Sequence, residues 1–83
     1  MLLKKAMGKE YKIDIHGKTE NDAYCTLLGF FVDLPQNAKK VVVVHGYRGG
    51  TVLKTMVANF AHHRIDYALS PMNNPGETHI YLK

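Results

Sequence analysis

Two short runs carry most of the chemistry available to this sequence. Asp14-Ile15-His16-Gly17 and Val44-His45-Gly46 each place a histidine directly before a glycine. Histidine changes charge near neutral pH, so either ring can act as a general acid or base. Asp14 precedes His16 by two residues, and in an extended strand that spacing puts both on one face. Asp14 can then orient His16 or steady its charged form. Asp14, His16 and His45 are therefore the candidate catalytic residues. The same three types can ligate a divalent metal of unknown identity, the one cofactor considered. No serine or cysteine stands where it would serve as a nucleophile.

A second candidate follows His45. Gly46-Tyr47-Arg48-Gly49-Gly50 is a glycine-rich turn that opens into a helical pattern. Glycines let several backbone N–H groups point into one concavity. A helix start adds partial positive charge, and Arg48 and Lys54 add full charges, so the segment can hold a phosphate. The same glycines also suffice for a tight turn with no ligand. No Gly-Lys-Ser or Gly-Lys-Thr closes the run, so it is not a Walker loop.

A third surface comes from strand alternation. Lys12, Asp14 and His16 share one face of the first strand of the pattern, and His79 and Tyr81 share one face of the last. If both are the open face of one sheet, it mixes ammonium, carboxylate, imidazole and a ring. Such a face either contacts sugar-phosphate and stacks on a base or is an ordinary solvated surface.

The elements that must position these groups are legible in turn. Tyr11, Ile13 and Ile15 alternate with Lys12, Asp14 and His16, which reads as a half-buried strand ended by Gly17. Thr19 is a good N-cap, with Glu20 and Asp22 in the first turn. Ala23, Leu27, Phe30, Phe31 and Leu34 form an apolar helical stripe that Pro35 stops. Val41–Val44 reads as a central strand buried on both faces. Thr51 is expected to cap a second helix with Val52, Leu53, Met56, Val57 and Phe60 inward. His62, His63 and Arg64 are expected at its C-terminus, where cations suit the dipole. Ile65–Leu69 reads as a third strand. The Pro71–Gly76 segment is rich in turn formers, and Thr78–Leu82 alternates as a fourth strand.

The order is β-α-β-α-β-β. Right-handed crossovers make the joined strands parallel and place both helices on one face of a mixed four-stranded sheet, an α/β two-layer sandwich. Parallel strands bring His16 and His45 to one edge, where open α/β sheets bind ligands. Residues 1–9 are expected as a partly mobile extension and residues 10–83 as the single domain.

Composition narrows the partners. A chain of 83 residues fits one domain with a modest core. Its net charge of +4 and pI of about 9.3 suit a phosphate-bearing partner without requiring one. The single Cys25 cannot form an intramolecular disulfide and is expected as an inert thiol, buried or half-buried in the first helix. No apolar run is long enough to span a membrane, and no targeting segment is evident. A cytoplasmic location with no membrane partner is expected, and a monomer is slightly favoured.

From Tyr11 to Lys83 the chain resembles the small MutS-related (Smr) domain family. Asp14-Ile15-His16-Gly17, with Ile13 before it, resembles the family's Leu-Asp-Leu-His-Gly signature. His45-Gly46-Tyr47-Arg48-Gly49-Gly50 resembles its His-Gly-x-Gly-x-Gly loop. Pro71 through Leu82, with Asn74, Gly76 and Thr78, resembles its closing pattern. The resemblance implies a fold like the C-terminal domain of a bacterial initiation factor. It also implies DNA or RNA binding and, in some members, nicking of DNA or cleavage of RNA. The first motif's role carries onto Asp14 and His16, and the loop's onto His45, Gly46 and Gly50. Arg48 stands where the family loop has its middle glycine, with Gly49 one place on. The alternative is a non-catalytic interaction or assembly module, using an exposed sheet edge or the Phe30–Phe31 helix.

Overall fold

The computed structural model describes residues 2–6, 10–46 and 51–83. The strands are β1 (Leu2–Ala6), β2 (Glu10–Asp14), β3 (Lys40–Val44), β4 (Ile65–Leu69) and β5 (Glu77–Leu82). The helices are α1 (Glu20–Asp33), between β2 and β3, and α2 (Val52–Ala58), between β3 and β4. The sheet order is β1-β2-β3-β5-β4.

The expected β-α-β-α-β-β layout is present. β2 and β3 are parallel neighbours joined through α1, with Ile13 opposite Val43. β5 runs antiparallel to both β3 and β4, so β3 and β4 are also parallel, with α2 crossing between them. Ala23, Leu27, Phe30 and Phe31 of α1 and Met56 and Val57 of α2 share one core with Ile13, Val41, Val43 and Ile80. Both helices therefore lie on one face. Phe31, 1 % exposed, sits at the heart of this layer, and burying such a ring contributes about 3 kcal/mol.

Within the expected extension, Leu2–Ala6 adds an edge strand that pairs antiparallel with β2, which would otherwise offer a free row of N–H and C=O groups. Three expectations are corrected. The second helix ends at Ala58 with Asn59 as its cap, so His62, His63 and Arg64 lie beyond it. Arg64 does serve a helix C-terminus, but that of α1. Its guanidinium donates to the carbonyls of Leu34 (2.7 Å) and Pro35 (2.6 Å), just past the last turn. Thr51 precedes α2 without a side-chain capping bond, whereas the Thr19 hydroxyl accepts from Asp22 N–H as expected. Cys25 is exposed. Among the described residues no helix is long and apolar enough to cross a membrane.

Candidate functional site

All three sequence motifs converge on one end of the sheet. Their common anchor is the backbone between β3 and β5. The N–H groups of His45 and Gly46 both donate to the carbonyl of Gly76, at 2.9 and 3.0 Å. Two residues further, the Thr78 hydroxyl meets His45 Nε2 at 2.8 Å. The third motif thus clasps the second across more than thirty residues of chain. The first motif joins from the other side. Ile15 N–H donates to the Val44 carbonyl at 2.8 Å, continuing the parallel ladder. Gly46 has φ +74°, and a Cβ there would lie 3.5 Å from His16 Cβ. His16 and the His45–Gly46 turn are therefore neighbours at one edge, as the parallel order requires.

The two histidines differ in what they can do. His45 is 4 % exposed. Its Nδ1 lies 2.8 Å from the Gly46 carbonyl, which can only accept, so Nδ1 carries the proton. Nε2 is then the partner of the Thr78 hydroxyl. Neither ring nitrogen is left for a substrate or a metal. His45 is a positioning residue, and the expectation that it reacts is corrected on that ground. The proposed Asp14, His16 and His45 ligand set fails with it. Among the described residues no group of three His, Cys, Asp or Glu could hold a metal ion.

His16 has the opposite environment. Its side chain is 68 % exposed, and Nδ1 lies 2.5 Å from Asp14 Oδ1. The same carboxylate oxygen accepts the His16 backbone N–H at 3.0 Å. An ionised carboxylate can only accept, so Nδ1 carries a proton and Nε2 is the ring nitrogen turned away from Asp14. Burial works against ionising Asp14. The ring and backbone hydrogen bonds from His16, with the charges of His16 and Lys12, outweigh it and hold the carboxyl below its usual range.

The remaining expected residues divide by location. Tyr47, Arg48, Gly49 and Gly50 lie outside the described residues. Lys54 is half-buried in α2, within the helix layer. Lys12, His79 and Tyr81 lie on the opposite, open face, with Val42 between Lys12 and His79. Lys12 and His79 converge on Glu77, at 3.7 and 3.1 Å, so the Lys12 charge is largely balanced there and the His79 ring is held by a hydrogen bond. The alternation pattern did not single out Glu77. It also missed Tyr67, whose ring stacks on Tyr81 at 4.8 Å, and Lys40, whose ammonium lies 5.3 Å from the other ring. The signal for both was register: Tyr67 and Lys40 flank Tyr81 on neighbouring strands.

Comparison with family models, curated proteins and solved structures finds no match.

Proposed function

We propose that this chain is a nucleic-acid-binding domain that cleaves phosphodiesters with the Asp14–His16 pair. The observation that carries this reading is the exposed Nε2 of His16, set in tautomer and direction by Asp14 at a ligand-binding sheet edge. A ring held in this way is built to take a proton from an attacking hydroxyl. The attacking group is water or an RNA 2′-hydroxyl, since among the described residues no serine or cysteine adjoins the pair. As the new P–O bond forms, the P–O bond to the leaving oxygen breaks, and that oxygen takes a proton from solvent. Asp14 stabilises the imidazolium formed in the step.

The resemblance of the three motifs to Smr domains supports the same reading, as does the net charge of +4. Phosphate capture falls to the turn from Gly46 through Gly50, with Arg48, and to Lys54. The open face, where Glu77 offsets Lys12, contributes the Tyr67–Tyr81 rings as a stacking surface rather than a charged track. On this reading the protein acts in the cytoplasm.

The test is cleavage of supercoiled DNA and structured RNA by parent, Asp14→Asn and His16→Ala proteins, with and without divalent metal. Loss of cleavage in both variants with binding retained supports the proposal. Parent-like cleavage by His16→Ala sinks it. Binding should weaken steeply with salt and fall in Arg48→Ala and Lys54→Ala, because phosphate contacts release counterions.

A further inference from the structure

The Phe30–Phe31 pair that the sequence offered for association is buried, whereas the open face of the sheet carries an exposed ring pair. That pair is built in layers. Lys40, Tyr81 and Tyr67 stand in one cross-strand row on β3, β5 and β4. The Lys40 ammonium lies 5.3 Å from the centre of the Tyr81 ring, and Tyr67 stacks on that ring at 4.8 Å and 16°. β3 and β4 flank β5 on opposite sides, so both faces of Tyr81 are used. β4 is the edge of the sheet among the described residues, and Tyr67 is 50 % exposed. One flat face of Tyr67 therefore remains for a further layer. Leu69, two residues on and 55 % exposed, borders it.

Charge decides what that layer is. Duplex nucleic acid is held mainly through its phosphates, which calls for a cationic track. Here, among the described residues, Glu77 meets Lys12 at 3.7 Å, and Glu10 stands across from Lys40. What the row offers instead is a π-face backed by a second ring and a cation, which is the chemistry that stacks on a base. Inside a duplex both faces of a base are covered by its neighbours. An unpaired base has a face to give.

The row also lies at a set distance from the Asp14–His16 pair. Tyr81 is level with Lys40 and Glu10, four residues before Asp14 along β2. His16 lies two residues beyond Asp14, and β4 is three strand spacings from β2. At about 3.3 Å per residue and about 4.8 Å per strand, Tyr67 and His16 stand about 20–25 Å apart. A stacked strand rises about 3.4 Å per nucleotide, so about six or seven nucleotides bridge that distance, and fewer when the strand is extended.

We propose that Tyr67 is the stacking site for an unpaired base, and that the substrate is a single-stranded segment running from this ring across the open face to His16. The proposal rests on the nucleic-acid reading given above, though not on cleavage.

Fluorescence anisotropy with a short mixed-sequence strand and with its duplex tests this. Strands of about eight nucleotides should bind about tenfold or more tighter than the duplex, and tighter than strands of about four. Tyr67→Ala should remove most of that preference, whereas Tyr67→Phe, which keeps the ring, should retain it. Stacking releases no counterions, so Tyr67→Ala should keep the parent's slope of affinity against salt while Arg48→Ala flattens it. A fluorescent purine analogue at one end of the strand should be quenched by the parent and by Tyr67→Phe, and not by Tyr67→Ala. Equal affinity for duplex and single strand overturns the proposal and leaves the nucleic-acid reading standing. So does a Tyr67→Ala protein that keeps the parent's preference. A parent that binds no nucleic acid overturns both.

Discussion

His16 and His45 end adjacent parallel strands, and each precedes a glycine with positive φ, +79° at Gly17 and +74° at Gly46. By local sequence they are the same device, yet their environments are opposite. His16 faces solvent with one carboxylate partner, while His45 is buried with both ring nitrogens engaged. A third strand makes the difference. β5 flanks β3 and brings Thr78 under His45, whereas His16 lies beyond β2 with no such cover. The repeated motif thus yields one exposed ring with a free edge and one buried structural ring, and the structural ring holds the turn against which the exposed one rests.

The largest expected effect is on stability at His45. His45→Ala strands the Thr78 hydroxyl and the Gly46 carbonyl and leaves a cavity, so it should cost about 3 kcal/mol in urea unfolding. His16→Ala should change stability by less than about 0.5 kcal/mol, as for an exposed site, while abolishing cleavage. Equal losses in the two variants would break the contrast. Next comes Thr78→Val, which removes the buried partner of Nε2 and should cost about 1–2 kcal/mol. If Thr78→Val is neutral, His45 is not held by this bond.

The two glycines sharpen the contrast further. Gly46→Ala and Gly17→Ala should each cost about 1 kcal/mol through positive φ. Only the methyl of Gly46→Ala would touch His16, at an ordinary contact distance of 3.5 Å from its Cβ, whereas that of Gly17→Ala meets open space, so neither variant should displace the His16 ring and both should cleave like the parent. The smallest effect is the pH response of Asp14. Its folded pKa is lowered, so its contribution is fully present above the ordinary value of 3.8. It is lost as pH falls through the lower folded value. Urea midpoints of parent and Asp14→Asn should differ above that range and converge below it. Because Asp14 is partly exposed, the difference should be small and shrink with salt.

Much of the fold was legible because local rules and tertiary packing agree there. Thr19 caps, the Ala23–Leu34 stripe is buried, and β5 alternates Thr78, Ile80 and Leu82 inward with His79 and Tyr81 outward. What was not legible depends on partners distant in sequence. Leu2–Ala6 has no strand pattern of its own and is a strand through pairing with β2. Arg64 reads as an end to its own helix and instead serves one thirty residues earlier. The apolar outer side of α1 raises the helix's overall hydrophobicity, which in sequence looks the same as a deeper core. The Asp14–His16 pair was fully readable because its geometry is local. The fate of His45 was not, because Thr78 lies 33 residues away.

The position of β5 also sets the order in which the molecule can be completed. It is the last strand in sequence but sits between β3 and β4. Among the described residues β4 pairs with no other strand, and Gly76 and Thr78 hold the His45–Gly46 turn. The sheet therefore cannot zip up from its N-terminus as the chain emerges from a ribosome. Until the final strand inserts, β4 is unattached and Gly46 is not fixed beside His16. Closing such distant contacts is slow, and the edge where His16 meets Gly46 forms in the same late step that places β5.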